Sequence, residues 1–354
     1  MKQVDYLIIG QGIAGTVLAY QLLQSGKSVC IVNHQQTYHS SAVAAGMYNP
    51  VSGKRMVLAW KWKEMLSYCK EWYSKMEQEL NGHFLFEMPT YQCFASIKEQ
   101  NDFSIKAEDE NFMHHLNASP QKAKGLKDEL GAFEILSTGW LQTQELLPLL
   151  RNQWKEQGIY LDASFDYAQL TINDDFFCYQ NVWANKVVCC EGYEIINNPH
   201  FSYVPMVTAK GDVFKLKCES LKQNRIWKKG LYLVPLGNHL FKAGSTYRWG
   251  HHRPEPDEAG KIELKEKLDA LLDCEYEIVE HLSGIRPASK DRYPFLGEHP
   301  QIKKLFVFNG LGTKGIMWAP YMAAQLIQFM EHQSEIEMQV SIRRFDKYFV
   351  EGKS

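Results

Sequence analysis

The sequence predicts an α/β fold in which strands and helices alternate at both ends of the chain and strands dominate its middle. The N-terminal part reads as a strand, a glycine-rich turn, a helix and a second strand. Residues 206–247 form β-rich runs separated by glycines, and the C-terminal part returns to a glycine-rich turn and an apolar helix. This interleaving predicts one domain built from separated segments, with a β-rich domain inserted in the gaps.

Length, composition and charge are those of an ordinary globular chain. The 354 residues are 45% hydrophobic and 23% charged, the mean hydropathy is -0.35, and no apolar run approaches the roughly 18 residues of a membrane span. Since 39 basic and 41 acidic side chains give a net charge of -2, nucleic acid is not the expected partner. The N-terminus lacks a signal-peptide pattern, and the eight cysteines show no metal or redox spacing. We therefore expect a soluble cytoplasmic protein with reduced thiols and no metal site.

The first strand, turn and helix have the pattern of a dinucleotide-binding unit. The strand VDYLII runs directly into GQGIAG, an apolar helix follows, and a second strand ends at Val32. In this context Gly10 permits a tight turn, Gly12 lets the backbone approach a pyrophosphate, and Gly15 lets the helix pack on the strand. The helix N-terminus favours anionic phosphates. The unit therefore predicts a Rossmann-like nucleotide site, without distinguishing NAD from FAD.

Two further segments bear on this site. An acidic residue usually follows the second strand and binds the ribose hydroxyls, but this sequence has Asn33 and then His34. The Asn33 amide could still donate to and accept from hydroxyls, or it could be a plain turn residue, and both interpretations stay open. The small residues of SSAVAAGMYNP, from Ser40 to Pro50, either lie against a flat ring system or form a flexible loop.

The remaining elements follow from hydrophobic periodicity and from turn residues. The predicted helices cover residues 65–80 and 144–157, a segment with Leu264, Leu268, Leu271 and Leu272 on one face, and the segment after residue 315. The predicted strands cover residues 84–95, 159–161 and 185–191, runs within 206–247, and a segment that starts at Tyr276.

Five motifs follow one another along nearly the whole chain. They are VDYLIIGQGIAG from Val4, AAGMYNP from Ala44, LYLVPLGNHLFKAGSTY from Leu231, SGIRPASKDRYPFLG from Ser283 and NGLGTKGIMWAP from Asn309. In this order they resemble the motifs of the D-amino acid oxidase superfamily of FAD-dependent oxidoreductases. Within it, the sequence most closely resembles glycine oxidase and the flavin domain of the enzyme that forms methylaminomethyl-thiouridine in tRNA.

The resemblance implies a Rossmann-like FAD-binding domain (GR2/DAO type) with an inserted antiparallel, β-rich substrate domain. The FAD-binding domain would be discontinuous, over residues 1–82, 140–204 and 285–354, and the substrate domain would cover residues 83–139 and 205–284. No cysteine matches the position that binds flavin covalently in some relatives. The resemblance therefore implies noncovalent FAD.

The resemblance also implies which residues contact FAD. The matching positions are Gly10, Gly12, Ile13, Ala14, Gly15, Asn33, His34, Ala45, Gly46, Met47, Gly192, Gly310, Gly312, Thr313, Lys314, Gly315 and Ile316. Asn33 is the clearest departure, since the family usually has an acid there. In the C-terminal loop, unpaired N–H groups and the helix N-terminus could face the flavin and favour its anionic reduced form. Lys314 would add a full charge, unless it is a solvated surface lysine.

Arg286, in the segment SGIRP, is the residue that the resemblance assigns to a substrate carboxylate. Pro287 biases Arg286 toward an extended backbone, and a guanidinium group binds carboxylates in bidentate geometry. The alternative is an ion pair between Arg286 and Asp291. Three tyrosines would line the pocket as aromatic walls or hydroxyl donors, although each could be a core residue: Tyr48, Tyr232 and Tyr247. Arg55 would add a second positive group at the mouth, or it is simply exposed.

The implied function is oxidation of the C–N bond of a small amino acid or secondary amine such as glycine, sarcosine or a D-amino acid. A hydride would pass from the α carbon to flavin N5, the imine would hydrolyse, and O2 is the expected electron acceptor. One alternative is removal of a carboxymethyl group from a tRNA wobble uridine, which the net charge and the lack of an appended methyltransferase domain disfavour. The other is a noncatalytic flavin-binding protein, which would leave Arg286 unexplained.

Overall fold

The computed structural model describes residues 2–34, 38–52, 56–118, 120–251 and 253–349. Arg55, one of the residues singled out in the sequence, lies outside these ranges. The helices within them are α1 (Ile13–Gln24), α2 (Ser40–Val43), α3 (Trp62–Leu80), α4 (Ile97–Ala107), α5 (Thr143–Glu156), α6 (Glu258–Leu271) and α7 (Gly315–His332). Short 3₁₀ segments cover Tyr167–Gln169, Gly192–Asn197, Gly312–Lys314 and Ile342–Tyr348.

The strands are short, apart from four that have eight or more residues. They are β1 (Lys2–Ile9), β2 (Val29–Val32), β3 (Met47–Tyr48), β4 (Val51–Ser52), β5 (Val57–Leu58), β6 (Leu85–Glu87), β7 (Thr90–Cys93), β8 (Leu116–Asn117), β9 (Ala132–Ile135), β10 (Gly139–Leu141), β11 (Tyr160–Leu161), β12 (Leu170–Ile172), β13 (Phe177–Tyr179), β14 (Val182–Cys189), β15 (Met206–Lys217), β16 (Ile226–Lys228), β17 (Tyr232–Gly237), β18 (Leu240–Gly244), β19 (Arg248–Trp249), β20 (Glu277–Ser289), β21 (Phe295–Glu298) and β22 (Leu305–Asn309). The mixed α/β composition that the sequence predicts is confirmed.

An eight-stranded sheet contains the N-terminal strand–helix–strand unit. Its order is β11, β2, β1, β14, β13, β12, with β22 paired to β14 and β21 paired to β22. Strands β11, β2, β1, β14 and β22 run parallel, so their carboxyl ends lie at one edge. Ligands of α/β proteins bind in the crevice beyond such an edge.

A nine-stranded sheet forms the β-rich part of the molecule. Its order is β19, β15, β18, β17, β16, β7, β9, β8, with β20 paired to β15. All of its pairs are antiparallel except β16 with β7. Strands β15 and β20 pair along their whole length, from Met206 opposite Ser289 to Lys217 opposite Glu277. The segment SGIRP lies within this long strand pair.

Residues 84–95 form two strands instead of the single strand that the sequence predicts. Strand β6 pairs with β10 in a three-stranded sheet that also contains β3, whereas β7 belongs to the nine-stranded sheet. Pro89 lies between β6 and β7, and its carbonyl oxygen accepts a hydrogen bond from the backbone of Ile226 at 3.0 Å. Because proline has no N–H to donate, it interrupts a strand pairing and lets the chain change sheets.

Two apolar clusters hold the helices on the sheets. Leu18 of α1, Met65 of α3 and Met322 of α7 lie in one buried cluster beside the eight-stranded sheet. Helix α6 buries Leu264 and Leu268 against the nine-stranded sheet, as the spacing of its leucines predicts. Among the helices described here, none combines the length and apolarity needed to cross a membrane.

Candidate active site

A cavity of about 1030 Å³ lies between the carboxyl edge of the parallel strands and the nine-stranded sheet. From the first sheet it is lined by Ile9, Val32 and Asn309, with Cys190 directly after β14, and from the second by Gly211, Val213, Tyr232, Gly284 and Arg286. The volume is at the upper end of the usual range for ligand sites, about 300–1,000 Å³. In the described part of the chain, no group of three or more His, Cys, Asp or Glu side chains is placed to hold a metal ion.

The loop between β1 and α1 has the close approaches that its glycines predict. Gly10 has φ 99°, and a Cβ there would lie 2.5 Å from the carbonyl oxygen of Cys190. A Cβ on Gly15 would lie 2.0 Å from the carbonyl oxygen of Gly10, so only glycine lets α1 sit this close. Gly12 and the two residues after it line the cavity, and α1 has no acidic residue in its first turn. The positive end of α1 therefore faces the cavity and suits an anionic phosphate.

Asn33 lines the cavity, but its amide is bonded to the protein. Oδ1 accepts a hydrogen bond from the backbone N–H of Gln11 at 3.0 Å, and Nδ2 donates to the Tyr160 hydroxyl at 3.0 Å and to the His34 carbonyl at 3.1 Å. The Gln11 side chain is held in turn by Nε of Arg151 at 2.7 Å. Asn33 thus braces the glycine loop. Its contact with a ribose stays a prediction, as does that of His34, which also lines the cavity.

The segment 40–47 contributes three of the predicted cofactor residues to the cavity wall: Ala45, Gly46 and Met47. Gly46 has φ 69°, and a Cβ there would lie 2.0 Å from the carbonyl oxygen of Leu141. Nζ of Lys242 on β18 donates to the Ala44 carbonyl at 3.0 Å. Burial lowers the pKa of Lys242 to about 7. The backbone of this segment is therefore held by two sheets: it contacts Leu141 of the three-stranded sheet and Lys242 of the nine-stranded sheet.

The segment after β14 contains the predicted Gly192 and an acid that sequence reasoning missed, Glu191, and both line the cavity. Gly192 has φ 61°, and its carbonyl oxygen accepts from Nδ2 of Asn309 at 2.9 Å. Nδ2 of Asn198 donates to the Glu191 carboxylate at 2.6 Å, and burial raises the pKa of Glu191 to about 7. The only signal for Glu191 in the sequence is its place directly after a buried strand.

The C-terminal glycine-rich turn places four of its six predicted residues on the cavity: Gly312, Thr313, Gly315 and Ile316. Gly310 lies behind them, where a Cβ would meet the Phe295 ring at 2.6 Å. Lys314 is not among the residues that line the cavity, and its Nζ lies 5.2 Å from the centre of the Trp318 ring. Burial lowers the pKa of Lys314. The contact of Lys314 with the cofactor therefore stays a prediction, whereas the N-terminus of α7 lies at the cavity.

Arg286 lines the cavity from β20. Its Nη2 donates to Oγ of Ser245 and, at 3.2 Å, to the carbonyl oxygen of Thr246. Its buried Nη1 has no hydrogen-bond partner among the described residues. The guanidinium lies directly over Gly211, where a Cβ would be 2.2 Å from Nη2. A buried guanidinium nitrogen without a partner is unfavourable, and a carboxylate in the cavity would satisfy it.

The alternative of an ion pair between Arg286 and Asp291 is wrong. The Asp291 carboxylate accepts from Nε of Arg344 at 2.7 Å and from Oγ of Ser289 at 2.8 Å. These bonds hold the pKa of Asp291 below its ordinary value, although burial opposes them. Asp291 therefore fastens the chain after β20 to the C-terminal segment.

Two of the three predicted tyrosines line the cavity: Tyr232 and Tyr247. The Tyr247 ring centre lies 4.6 Å from the guanidinium carbon of Arg286. Tyr48 is instead a core residue, only 1% exposed, and its prediction as a pocket wall is corrected. The cause is strand alternation: Met47 lines the cavity, and the next side chain of β3 points to the opposite side.

The opposite face of β15 and β20 carries a charged cluster around Asp212, which is fully buried. Its carboxylate accepts from Nη2 of Arg248 at 2.6 Å and from Oγ1 of Thr246 at 3.0 Å, and Nε2 of His281 lies 3.1 Å away. Burial opposes ionisation, yet these contacts keep the pKa of Asp212 below its ordinary value. Arg248 also binds Asp257, directly before α6, at 2.8 Å. The cluster therefore fixes α6 and β19 on the strands that carry the cavity residues.

Comparison with known proteins gives one family over most of the chain. Residues 5–328 match the family described as DAO, FAD dependent oxidoreductase. The chain is 24% identical to the tRNA 5-methylaminomethyl-2-thiouridine biosynthesis bifunctional protein of Marinobacter nauticus over 353 residues, which cover 90% of this chain and 54% of that protein. It is 22% identical to glycine oxidase of Bacillus licheniformis over 380 residues, with 90% of each covered. The chain thus spans about half the length of the first of these relatives.

Solved structures share the fold. Glycine oxidase from Geobacillus kaustophilus gives a TM-score of 0.77 at 20% identity, with 95% of this chain and 96% of that chain covered. Iminodiacetate oxidase from Chelativorans sp. BNC1 gives a TM-score of 0.75 at 19% identity, with 95% and 99% covered. At these identities the likeness concerns the fold alone.

Proposed function

The chain belongs to the DAO family of FAD-dependent oxidoreductases, and on this premise we propose that it oxidises the C–N bond of a small amino acid or secondary amine. The observation that carries the proposal is Arg286, whose buried Nη1 has no partner in the described chain and which lines the same cavity as the glycine loop. Two structural neighbours are named for the oxidation of glycine and of iminodiacetate, and both compounds join an amine to a carboxylate.

The residues around the cavity fit FAD. Gly10 and Gly15 stand where a Cβ would collide with backbone oxygens, and the N-terminus of α1 faces the cavity without a competing acid. We propose that this helix end holds the diphosphate, and that Gly192 and the segments 45–47 and 312–316 contact the rest of the cofactor. The proposed binding is noncovalent, because no cysteine matches the position that binds flavin covalently in some relatives; the cavity-lining Cys190 is buried, which raises the pKa of its thiol.

Bound FAD would supply the acceptor for the two electrons that leave the substrate with its α hydrogen. Arg286 would bind the substrate carboxylate through Nη1, while Ser245 and Thr246 hold Nη2 and so keep the guanidinium in one direction. This contact fixes the α carbon in the cavity, which is the main contribution that a protein makes to such a reaction. Tyr232 and Tyr247 line the cavity beside it. The imine would then be hydrolysed, and O2 is the proposed final electron acceptor.

We further propose that the two large sheets belong to different domains, with the cofactor domain at 1–82, 140–204 and 285–354 and the substrate domain at 83–139 and 205–284. In support, β1, β2, β14 and β22 share one sheet, whereas β7, β9 and β15 to β19 share the other. Strand β20 crosses the proposed boundary at residue 285, directly before Arg286. The substrate-binding residue would then lie at the junction of the domains.

The first experiment is a visible spectrum of the purified protein, followed by denaturation. We expect a flavin band and release of FAD into solution. Anaerobic addition of glycine, sarcosine or D-amino acids should then bleach the band. A protein that has no flavin and takes up none on reconstitution would contradict the cofactor assignment, whereas a flavin that none of these compounds bleaches would contradict the amine substrate.

A second candidate function is removal of a carboxymethyl group from a tRNA wobble uridine, which the 24% identity to the tRNA biosynthesis protein favours. The carboxymethylaminomethyl side chain of that uridine contains a glycine-like unit, so Arg286 would bind the same carboxylate. The net charge of -2 supplies no broad positive field for a phosphate backbone. Binding of unmodified tRNA that weakens steeply with salt would support this candidate, and no detectable binding at low salt would contradict it.

A further inference from the structure

Three strands place Arg286, Ala209 and Trp249 in one row across the nine-stranded sheet. Ala209 on β15 is the register partner of Arg286 on β20 and also of Trp249 on β19. Directly opposed residues of antiparallel strands point to the same face of the sheet. The side chains of Arg286 and Trp249 therefore lie on the cavity face, two strand spacings or roughly 10 Å apart, with only a methyl group between them.

Tyr247 bridges the two ends of this row. Its ring lies 4.6 Å from the Arg286 guanidinium and 4.7 Å from the Trp249 ring, with 66° between the two ring planes. Tyr247 is 44% exposed and Trp249 is 52% exposed, although both are large and apolar. The result is an aromatic strip that starts at the proposed carboxylate site and runs out to solvent.

The smallest substrates would not contact the full length of this aromatic strip. Glycine and sarcosine extend at most one methyl group beyond the amine, which does not reach across a full strand spacing to Trp249. Exposed tryptophan is not by itself unusual, and Trp183 is 36% exposed as well. The Trp183 ring, however, is covered by the Phe176 ring at 4.3 Å with 17° between their planes, whereas Tyr247 meets Trp249 edge-on. An edge-on pair leaves a ring face free for a third flat group.

We propose that the substrate carries a flat ring beyond its amine, and that Tyr247 and Trp249 bind this ring while Arg286 binds the carboxylate. The inference rests on the proposed function and narrows its substrate to amino acids or N-substituted glycines that end in an aromatic ring. An aryl side chain and a nucleobase both present the required face. The experiment below therefore includes one compound of each kind.

The test compares kcat/KM of the FAD-loaded enzyme for sarcosine, N-benzylglycine and N-(cyclohexylmethyl)glycine. The last two have nearly the same size, but only the benzyl compound is flat. We expect N-benzylglycine to be preferred over its cyclohexyl analogue. Trp249→Ala should lower the N-benzylglycine value about threefold to tenfold, the range measured for aromatic pairs, and leave sarcosine unchanged. Trp183→Ala is the matched control, for which no change with either substrate is expected.

An equal loss for all three compounds in Trp249→Ala would mean that the ring merely supports Arg286, and it would overturn the proposal. An unchanged N-benzylglycine value would overturn it as well. A third arm uses 5-carboxymethylaminomethyluridine, which joins a glycine unit to a nucleobase. A higher kcat/KM for this nucleoside than for N-benzylglycine, lowered again by Trp249→Ala, would identify the ring as a nucleobase.

A binding measurement separates the ring site from the reaction. Calorimetric titration of the FAD-loaded protein with phenylacetate and with cyclohexylacetate should give tighter binding of phenylacetate, and Trp249→Ala should remove that preference. If no amine bleaches the flavin, the proposed function fails, while this titration still decides the ring site. Equal affinities for the two acids in the wild type would overturn the ring site even in an enzyme that oxidises glycine.

Discussion

Arg286 combines a fixed direction with an unsatisfied donor. Ser245 and Thr246 hold Nη2, the Tyr247 ring lies beside the guanidinium, and Nη1 is buried with no partner in the described ranges. An unsatisfied buried donor destabilises a folded protein by about 1–3 kcal/mol. The unpaired Nη1 donor therefore destabilises the ligand-free protein, and a bound carboxylate would remove this destabilisation. Binding sites commonly reduce the stability of a protein in this way.

Replacing Arg286 tests whether this residue serves substrate binding rather than folding. For Arg286→Leu we expect kcat/KM with an amino acid substrate to fall on the order of 100-fold, since loss of a charged hydrogen-bonded partner costs about 2–3 kcal/mol. The melting temperature should change little, because removal of the unsatisfied Nη1 donor offsets the loss of the Nη2 bonds to Ser245 and Thr246. FAD content by absorbance should be unchanged, and Arg343→Leu at an exposed position is the control. Loss of FAD from Arg286→Leu would contradict the role assigned to Arg286.

Gly211 is the second residue on which the proposed carboxylate site depends. A Cβ there would stand 2.2 Å from Nη2 of Arg286, so Gly211→Ala must displace the guanidinium. We expect a raised KM with FAD still bound, measured by steady-state kinetics. The control is a double-mutant cycle, in which Gly211→Ala should add little to Arg286→Leu because the group it displaces is already absent. Fully additive effects on kcat/KM would show that Gly211 acts elsewhere.

At the scale of elements, local sequence patterns predicted the structure correctly where a segment belongs to a single sheet and ends at a clear turn. The first strand, glycine loop and helix are as predicted, and the helix at 65–80 ends with Asn81 in the left-handed conformation at φ 49°. Residues 84–95 were not predictable in the same way. Their apolar pattern is continuous, and only Pro89 marks the point where β6 and β7 join different sheets. The pairing partners of such short strands lie far away in the sequence.

Lys242 on strand β18 should make the folding stability depend on pH. Its Nζ joins the strand to the segment 40–47 by a hydrogen bond to the Ala44 carbonyl. Lys242 is 2% exposed, and burial lowers its pKa to about 7, with Lys215 adding to this effect and Glu280 opposing it. An exposed lysine in the unfolded chain titrates near 10.4. Between about pH 7 and pH 10 the unfolded state therefore binds more protons, so folding should become more favourable as the pH rises.

We expect this dependence in urea unfolding of the wild type from pH 7 to pH 9.5, relative to Lys242→Met. The methionine has a similar length and no proton to lose, so the difference in unfolding free energy between the two proteins should change in favour of the wild type with rising pH. Lys265→Met, at an exposed position on α6, should follow the wild type. Parallel profiles for wild type and Lys242→Met would contradict a buried Lys242 of lowered pKa.

At the scale of the whole molecule, the sequence identified the segments of the site better than the direction of their side chains. The glycines and Arg286 come from motifs with a local physical reason, and all but two of the predicted glycines line the cavity. Tyr48 is a core residue because one step along strand β3 turns its side chain away from the cavity, and Lys314 lies outside the cavity wall. Trp249 and the brace formed by Asn33 were missed, because they depend on the register of β15 with its neighbours and on a loop contact across the fold.

In the proposed site, FAD would link the two sheets, because residues of both line the cavity. Gly12 approaches it from the eight-stranded sheet, whereas Tyr232 and Arg286 approach it from the nine-stranded sheet. A ligand that binds only the folded state stabilises it by about 2.7 kcal/mol at a hundredfold excess over Kd. We therefore expect FAD to slow amide hydrogen exchange, measured by mass spectrometry, both in β1 and β14 and in β15 and β20. ADP, which offers only the nucleotide half, should protect β1 and β14 alone. Protection by FAD that is confined to the eight-stranded sheet would contradict a cofactor site completed by the β-rich sheet.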